Sequence, residues 1–195
     1  DRGFERINPD IAGRPQVITG NKQILFSGMR VAESCILTLK NKSYSVTADV
    51  VIPDGITANG VIITQGGEVG GWSFYAKDGK LKYCFNFFGI DYYIIEADSV
   101  IPEGKHQLRV EFKYDGGGLG KGGDVTLYYD GNQFGKGRVE KTIPMGYSAD
   151  EACDVGSDTG SPASTDYGPT GNKFNGVINW VQIEAMNREG ETFRL

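Results

Sequence analysis

The sequence predicts an all-β protein, an antiparallel β-sandwich, on three observations. Apolar residues alternate with polar ones over many short segments, which is typical of strands that bury one face. Glycine is abundant, at 29 of 195 residues, and ten tyrosines and ten phenylalanines accompany it, as expected where short strands meet tight turns. No segment keeps the spacing of an amphipathic helix over three turns.

The alternation is clearest in five segments, and it predicts which side chains face the core. Within each segment every second residue, counted from the first, is expected to be buried. In the last segment this places Val177, Asn179 and Val181 on one face. The five segments are 44–52, 81–87, 106–114, 125–129 and 177–185.

Two dipeptides next to these segments predict hairpins. Asp78-Gly79 separates two alternating runs, and Asp130-Gly131 follows another. Both pairs tolerate the positive φ angles that two-residue hairpin turns require. At this spacing of turns the chain holds roughly a dozen strands, as in a β-sandwich.

The length of 195 residues suits one domain. Residues 1–22 are polar and aperiodic, so we interpret them as a linker or the tail of a preceding catalytic domain, with the sandwich at 23–195. The chain starts at Asp1 instead of a methionine, and we interpret it as part of a longer protein.

Charge and hydropathy exclude several classes of partner. The chain has 20 basic and 25 acidic residues and a net charge of −5, whereas proteins that bind nucleic acid or anionic lipid usually carry a basic excess. No apolar run approaches the ~20 residues of a membrane span. We therefore expect neither nucleic acid nor a membrane as partner. The sequence does not tell a periplasmic or secreted location from a cytoplasmic one.

The three cysteines predict neither zinc binding nor thioredoxin chemistry. Cys35, Cys84 and Cys153 are widely spaced and form no C-x-x-C pair. Cys35 and Cys84 lie in apolar runs, so we expect small buried side chains there.

The sequence contains no complete catalytic motif of the kinds we tested. His106 is the single histidine and shares its predicted face with apolar residues, so we interpret it as structural. The glycine-rich loop 115–123 imitates a phosphate-binding loop, but Asp115 replaces the first glycine and would repel phosphate. Glu96 and Asp98 begin the carboxylate motif of β-sandwich glucanases, which lacks its last glutamate here. We therefore predict no catalytic residue.

An acidic loop at 150–170 offers a possible cation site. Asp154 and Asp158, with nearby carbonyl groups, could form an oxygen cage for calcium. The loop is not an EF-hand, because Gly156 and Thr165 occupy ligand positions. We favour the alternative, in which the two aspartates brace the loop through Asx turns.

Seven aromatic residues could include a platform on which a sugar stacks. Aromatic side chains on strands more often pack in the core or on a sheet face, and we favour that interpretation for most of them. Adjacent residues of a strand point to opposite faces, so at least one of Tyr92 and Tyr93 is expected to be exposed. The seven are Trp72, Phe74, Tyr75, Tyr92, Tyr93, Tyr128 and Tyr129.

Five motifs together resemble the C-terminal region of bacterial arylsulfatases. The resemblance covers nearly the whole chain. It implies a jelly roll of the concanavalin A-like, laminin-G-like type that follows an alkaline-phosphatase-like catalytic domain. The motifs are 5–15 (ERINPDIAGRP), 70–75 (GGWSFY), 77–81 (KDGKL), 114–123 (YDGGGLGKGG) and 154–162 (DVGSDTGSP).

The resemblance carries no catalytic residue into this chain. Sulfatases hydrolyse sulfate esters with a formylglycine, made from Cys or Ser in C/S-x-P-x-R, beside a calcium ion. No cysteine or serine opens that motif here. The resemblance thus implies formylglycine and calcium in the parent's catalytic domain and no cofactor in this chain.

We therefore expect a non-catalytic accessory domain of an arylsulfatase-like sulfuric ester hydrolase, with the catalytic domain as its partner. It would pack on that domain, shape substrate access or mediate oligomerisation. Leu119 and Lys121 are the expected interface residues, because they project from the glycine-rich loop 115–123, which we expect to be a flexible arm. The alternative is a lectin-like carbohydrate-binding module, as sandwiches of this type often bind glycans.

Overall fold

The computed structural model describes residue 18, residues 20–147 and residues 151–186. Within these residues the chain forms twelve strands and one turn of 3-10 helix, Glu33–Cys35. The strands are β1 (Lys22–Leu25), β2 (Arg30–Ala32), β3 (Tyr44–Ile52), β4 (Gly60–Gly67), β5 (Gly70–Lys77), β6 (Lys80–Phe87), β7 (Asp91–Val100), β8 (Gly104–Tyr114), β9 (Lys121–Tyr129), β10 (Asn132–Lys141), β11 (Ala152–Val155) and β12 (Val177–Ala185).

The strands form two antiparallel sheets of six strands each. Sheet A has the order β1-β12-β3-β8-β9-β10, and sheet B has the order β2-β11-β4-β5-β6-β7. Both sheets contribute to one main core, so the predicted β-sandwich is confirmed. In the described part of the chain, no helix is long and apolar enough to cross a membrane.

Alternate residues of both sheets fill the core. Tyr44 of β3 stacks on Phe112 of β8, with ring centroids 5.1 Å apart, and lies 6.4 Å from Trp72 of sheet B. Four of the predicted inward faces are confirmed, with Phe87 and Tyr114 partly buried at their ends. These faces belong to segments 44–52, 81–87, 106–114 and 125–129.

The predicted face of β12 is wrong at its start. Val177 and Asn179 point to solvent, and Ile178 is buried in the core instead. The cause is a shift in register against β3 between Ile178 and Trp180, which reverses the alternation of the strand.

The two predicted hairpin turns are present. Asp78 and Gly79 have φ angles of 50° and 82°, and Asp130 and Gly131 have 48° and 80°. Two successive positive φ angles define the type I′ turn, whose twist matches that of the flanking strands.

A long loop closes the outer face of sheet B. We call residues 156–174 the covering loop. Its Tyr167 packs edge-on against Tyr75 of β5, with centroids 5.4 Å apart, and Cys84 joins them in a small second core. The loop is anchored where the Tyr75 hydroxyl donates to Asp166 Oδ2 at 2.8 Å. Much of the acidic stretch therefore packs on a sheet.

The glycine-rich loop between β8 and β9 is shorter than predicted. The sequence predicted a loop at 115–123, but Lys121 already opens β9, which leaves 115–120. Position 123 lies within β9 and requires glycine, because a Cβ atom there would come 2.4 Å from the carbonyl oxygen of Lys113. Close strand packing, and not only flexibility, therefore explains the excess of glycine.

Most of the predicted linker at 1–22 falls outside the described residues, which include only 18 and 20–22 of it. Lys22 pairs with Glu184 in sheet A, so the sandwich begins one residue before the predicted boundary at 23.

The cysteines are free thiols, and the predicted burial is confirmed for Cys84 and wrong for Cys35. Cys84 and Cys153 are buried, whereas Cys35 is half-buried. Burial raises the pKa of Cys84 to about 12.

Candidate functional site

We call the outer face of sheet A, which points away from the main core, the open face; its central side chains are half-buried or, on β3, buried. Its central row crosses four strands through register partners. Gln182 of β12 lies opposite Thr47 of β3, which lies opposite Arg109 of β8. Arg109 in turn lies opposite Tyr128 of β9. The row places hydrogen-bond donors, acceptors and a phenol ring side by side.

Trp180 reaches the open face because β12 carries a β-bulge. Trp180 pairs with Asp49 of β3 beyond the register shift. The extra residue, Asn179, is exposed, and its Nδ2 donates to Asp49 Oδ1 at 2.6 Å. Bulges often re-aim a side chain beside a functional site. The indole thus lies on the same face as the central row.

An open apolar depression of about 250 Å³ adjoins the indole. It is lined by Ile24, Phe26, Trp180 and Gln182. Ile24 and Phe26 are each 55% exposed. Trp180 therefore lies between an apolar surface on β1 and the polar row on β3, β8 and β9.

The centre of the open face is a hydrogen-bonded cluster around Glu111. Arg109 donates from Nε to Glu111 Oε1 at 2.8 Å and from Nη1 to Thr47 Oγ1 at 3.0 Å, and its Nη2 forms an ion pair with Glu111 Oε1 at 2.8 Å. The Tyr128 hydroxyl donates to Glu111 Oε2 at 3.0 Å. Burial raises the pKa of Tyr128, and the neighbouring Glu111 carboxylate raises it further. These bonds hold the side chains in fixed positions.

A second carboxylate, Asp49, is only 5% exposed. Besides the bond from Asn179, it faces the Lys105 ammonium, whose Nζ lies 3.6 Å from Oδ2. Its charge is therefore balanced within the face.

His106 lies at the start of β8, on the side of the strand that faces the core, and braces a turn. Its Nδ1 is 2.7 Å from Asp130 Oδ2, and its Nε2 is 3.1 Å from the Glu103 carbonyl oxygen. Burial lowers the pKa of His106, but the bonds to Asp130 and Glu103 outweigh burial and raise it. Both nitrogens are engaged, in accord with the structural role predicted from sequence.

The open face is suited to binding rather than to bond cleavage. Glu111 and Asp49 are held by cations and hydrogen bonds, so neither is poised as a proton donor or a nucleophile. An aromatic surface beside a few fixed polar groups is the usual make-up of a ligand site.

Of the seven aromatic residues singled out from sequence, only Tyr128 lies on the open face. Four are buried: Trp72, Phe74, Tyr75 and Tyr129. Tyr92 and Tyr93 lie on β7 of sheet B and are half-buried. Sequence reasoning missed Trp180. The available signal was the polar Asn179 on an otherwise apolar face, which marks the bulge.

Asp154 and Asp158, the calcium candidates, are both buried. Asp154 Oδ2 accepts hydrogen bonds from the Thr159 amide at 3.0 Å and its hydroxyl at 2.7 Å. Asp158 Oδ2 accepts from the Ala163 amide at 3.1 Å and the Tyr167 hydroxyl at 2.9 Å. Burial raises the pKa of Asp158. Both aspartates thus brace the covering loop, and no cluster of three metal-ligating side chains occurs among the described residues.

Leu119 and Lys121, the interface candidates, are both exposed, with Leu119 at 62%. The arm that carries them is tied to its own strand. The Tyr114 hydroxyl donates to the Gly118 carbonyl at 2.6 Å and accepts from the Lys121 amide at 2.9 Å.

Comparisons with known proteins identify neighbours of this fold. No protein-family model and no curated protein matches the chain. Domain 4 of AbnA, an extracellular GH43 arabinanase from Geobacillus stearothermophilus, was solved with arabinotriose. It is similar with a TM-score of 0.54 and 19% identity, over 82% of this chain and 68% of that one.

A second similar structure is the CBM40 domain of the Ruminococcus gnavus IT-sialidase, bound to α2,3-sialyllactose. Its TM-score is 0.52 at 11% identity, over 87% of this chain and 92% of that one. At these identities the likeness shows the fold alone, and the predicted jelly roll is confirmed.

Proposed function

We propose that this chain is a non-catalytic carbohydrate-binding domain and that the open face holds the glycan. The observation that carries the proposal is Trp180, which the bulge of β12 turns out of the core and sets beside a row of fixed polar groups. A side chain that packing alone required would point inward, as Trp72 does.

The chemistry of the face matches a sugar. One face of a pyranose or furanose ring is apolar and packs on an aromatic ring, while its hydroxyl groups need donors and acceptors at the edge. Trp180 supplies the ring surface. Gln182, Thr47 and Asp49 supply both kinds of hydrogen-bonding group within two strands of it.

The structural neighbours support the same conclusion. Both similar domains were solved with an oligosaccharide, arabinotriose in one and sialyllactose in the other. They belong to enzymes that act on glycans, a GH43 arabinanase and an IT-sialidase.

The test is affinity electrophoresis of the chain through arabinan, xylan, laminarin and dextran, each with its chemically sulfated form, followed by calorimetry with any binder. We expect retardation by at least one polysaccharide and a loss of about tenfold or more in affinity for Trp180→Ala. Phe88→Asn is the matched control, because Phe88 is an exposed aromatic residue on sheet B. Binding that survives Trp180→Ala, or is lost equally in the control, would place the glycan elsewhere.

A second candidate function is the accessory role in an arylsulfatase. The motifs that resemble arylsulfatases support it, and so does a small exposed apolar patch at two adjacent turns of sheet B. There Val69 is 59%, Phe88 48% and Ile90 75% exposed. The coding sequence upstream of this chain would then contain C/S-x-P-x-R. If the upstream reading frame lacks that motif, the hypothesis of a parent sulfatase is wrong.

A further inference from the structure

Resting on the proposed function, we propose that the open face selects an uncharged oligosaccharide over a sulfated or carboxylated one. The inference comes from the ion pairs that the cations of this face form with carboxylates. A site for anionic sugars needs a guanidinium or ammonium group that is available to the ligand. On this face the central guanidinium, that of Arg109, is already engaged by a carboxylate.

Arg109 is the group that would otherwise bind an anion. The planar guanidinium binds sulfate or carboxylate through two parallel N–H bonds. Here Nε donates to Glu111 Oε1, Nη2 lies 2.8 Å from the same carboxylate oxygen, and Nη1 donates to Thr47. An anionic ligand at this point would compete with Glu111 for the same donors.

The second cation, Lys105, is paired more loosely, because its side chain is 69% exposed. Its ammonium lies 3.6 Å from Asp49 Oδ2, close to Trp180. The two pairs, Arg109 with Glu111 and Lys105 with Asp49, sum to zero charge. Their carboxylates favour hydroxyl donors and oppose a sulfate, whose repulsion is strengthened where the groups are partly buried.

The length of the site indicates a chain of sugars and not a single one. Trp180 on β12 and Tyr128 on β9 are separated by three strand spacings, about 14 Å. Polar side chains of the central row lie between them, Thr47 of β3 and Arg109 of β8. A ligand that runs across the strands would contact both aromatic residues and the row.

The test uses each neutral polysaccharide that binds and the same polysaccharide after chemical sulfation. We expect the sulfated form to bind the wild-type chain about tenfold more weakly in low salt. The difference should shrink at 1 M salt, because screening weakens charge repulsion, while neutral binding stays nearly constant. Equal or tighter binding of the sulfated form would overturn the selectivity and leave the carbohydrate-binding function standing.

Glu111→Gln is the decisive variant, because it preserves the size of the side chain and releases the guanidinium. We expect the sulfated form to gain about tenfold relative to the neutral form. Unchanged selectivity in a variant with the wild-type circular dichroism spectrum would overturn the proposal. If no neutral or sulfated polysaccharide binds the wild-type chain, the proposed function itself fails.

Discussion

Phe88 has a backbone conformation that its side chain disfavours. Four residues other than glycine have positive φ among the described residues: Asn41, Asp78, Asp130 and Phe88. The first three are of the types that tolerate this region, whereas a phenylalanine there is strained by roughly 1–2 kcal/mol. Phe88 is followed by Gly89, and the Ile90 amide closes the turn on the Phe87 carbonyl at 3.0 Å. The turn is therefore one in which asparagine would fit better.

We predict that Phe88→Asn stabilises the chain. Relief of the backbone strain outweighs the loss of the exposed edge contact between Phe87 and Phe88, worth about 0.5 kcal/mol. The free energy of unfolding in urea should rise by about 1 kcal/mol. Asp78→Asn at a matching turn is the control and should change little. A lower stability for Phe88→Asn would show that the ring supports the fold.

The pair of His106 and Asp130 predicts a pH dependence of stability. The pKa of His106 is raised in the folded chain, so its protonated form is favoured by folding. The contribution is complete below the unfolded pKa of about 6.5 and is lost as the pH rises through the higher folded value. The melting temperature of the wild type should fall more between pH 6 and pH 8 than that of His106→Gln. Equal slopes would contradict the pairing.

Single residues show what the sequence does not disclose. Trp72 is fully buried, whereas Trp180 is half-buried on the outer face of sheet A. Alternation in segment 177–185 puts Trp180 outside the core, but the polar groups around it come from strands far away in the chain, so the local sequence does not disclose the site. The role of His106 was easier to predict from the sequence, because its apolar neighbours and its place at the start of a strand already indicated a structural role.

At the scale of the element, alternation predicts strands well until a strand carries an extra residue. Segments 44–52 and 106–114 keep one register along their whole length, so their buried faces follow from the sequence. The bulge in β12 is set by its pairing with β3, and a period of two cannot reveal it. The most informative residue of the candidate site lies beyond that irregularity.

The covering loop is a second element that periodicity could not predict. Its contacts are irregular: Tyr167 reaches Ser73 at 2.8 Å, and Asp166 reaches Lys82 at 3.0 Å. Each bond joins residues more than eighty positions apart in the chain. Composition indicated an acidic, glycine-rich loop but not that it packs on sheet B.

These contacts lead us to predict that calcium leaves the stability unchanged. The Oδ2 atoms of Asp154 and Asp158 each accept two hydrogen bonds from the covering loop, so a cation bound to them would displace existing partners, and only Asp154 Oδ1 is buried without a hydrogen bond. The melting temperature in 5 mM calcium, about a fivefold excess over the weakest extracellular sites, should equal that in chelator. A saturable rise that Asp158→Ala abolishes would establish a calcium site here.

At the scale of the whole molecule, the two outer faces of the sandwich differ. Sheet B is covered by residues 156–174 and carries a small second core, whereas the central row of sheet A is half-buried, with Thr47 buried. The main core lies between them and needs no disulfide, since a domain of this size buries enough apolar surface to fold. The face proposed to bind a ligand is therefore the outer face of sheet A, and not that of sheet B.

The reactivity of the cysteines can show whether the covering loop and the sandwich unfold together. Cys153 lies in the main core, and Cys84 lies beneath the covering loop, where its thiol donates to the Ala163 carbonyl at 3.7 Å. Burial raises the pKa of both thiols. Buried thiols of this kind react only when the structure opens, whereas the half-buried Cys35 is accessible earlier.

We predict that the covering loop and the sandwich unfold as one unit. Phe174 at the end of the loop is part of the main core, so the loop cannot leave sheet B without disturbing the sandwich. In the Cys35→Ser variant, a disulfide reagent should therefore label Cys84 and Cys153 over the same range of urea, which coincides with the loss of circular dichroism. Variants that retain only one of the two cysteines assign the signals. Labelling of Cys84 well before Cys153 would show instead that the loop opens by itself.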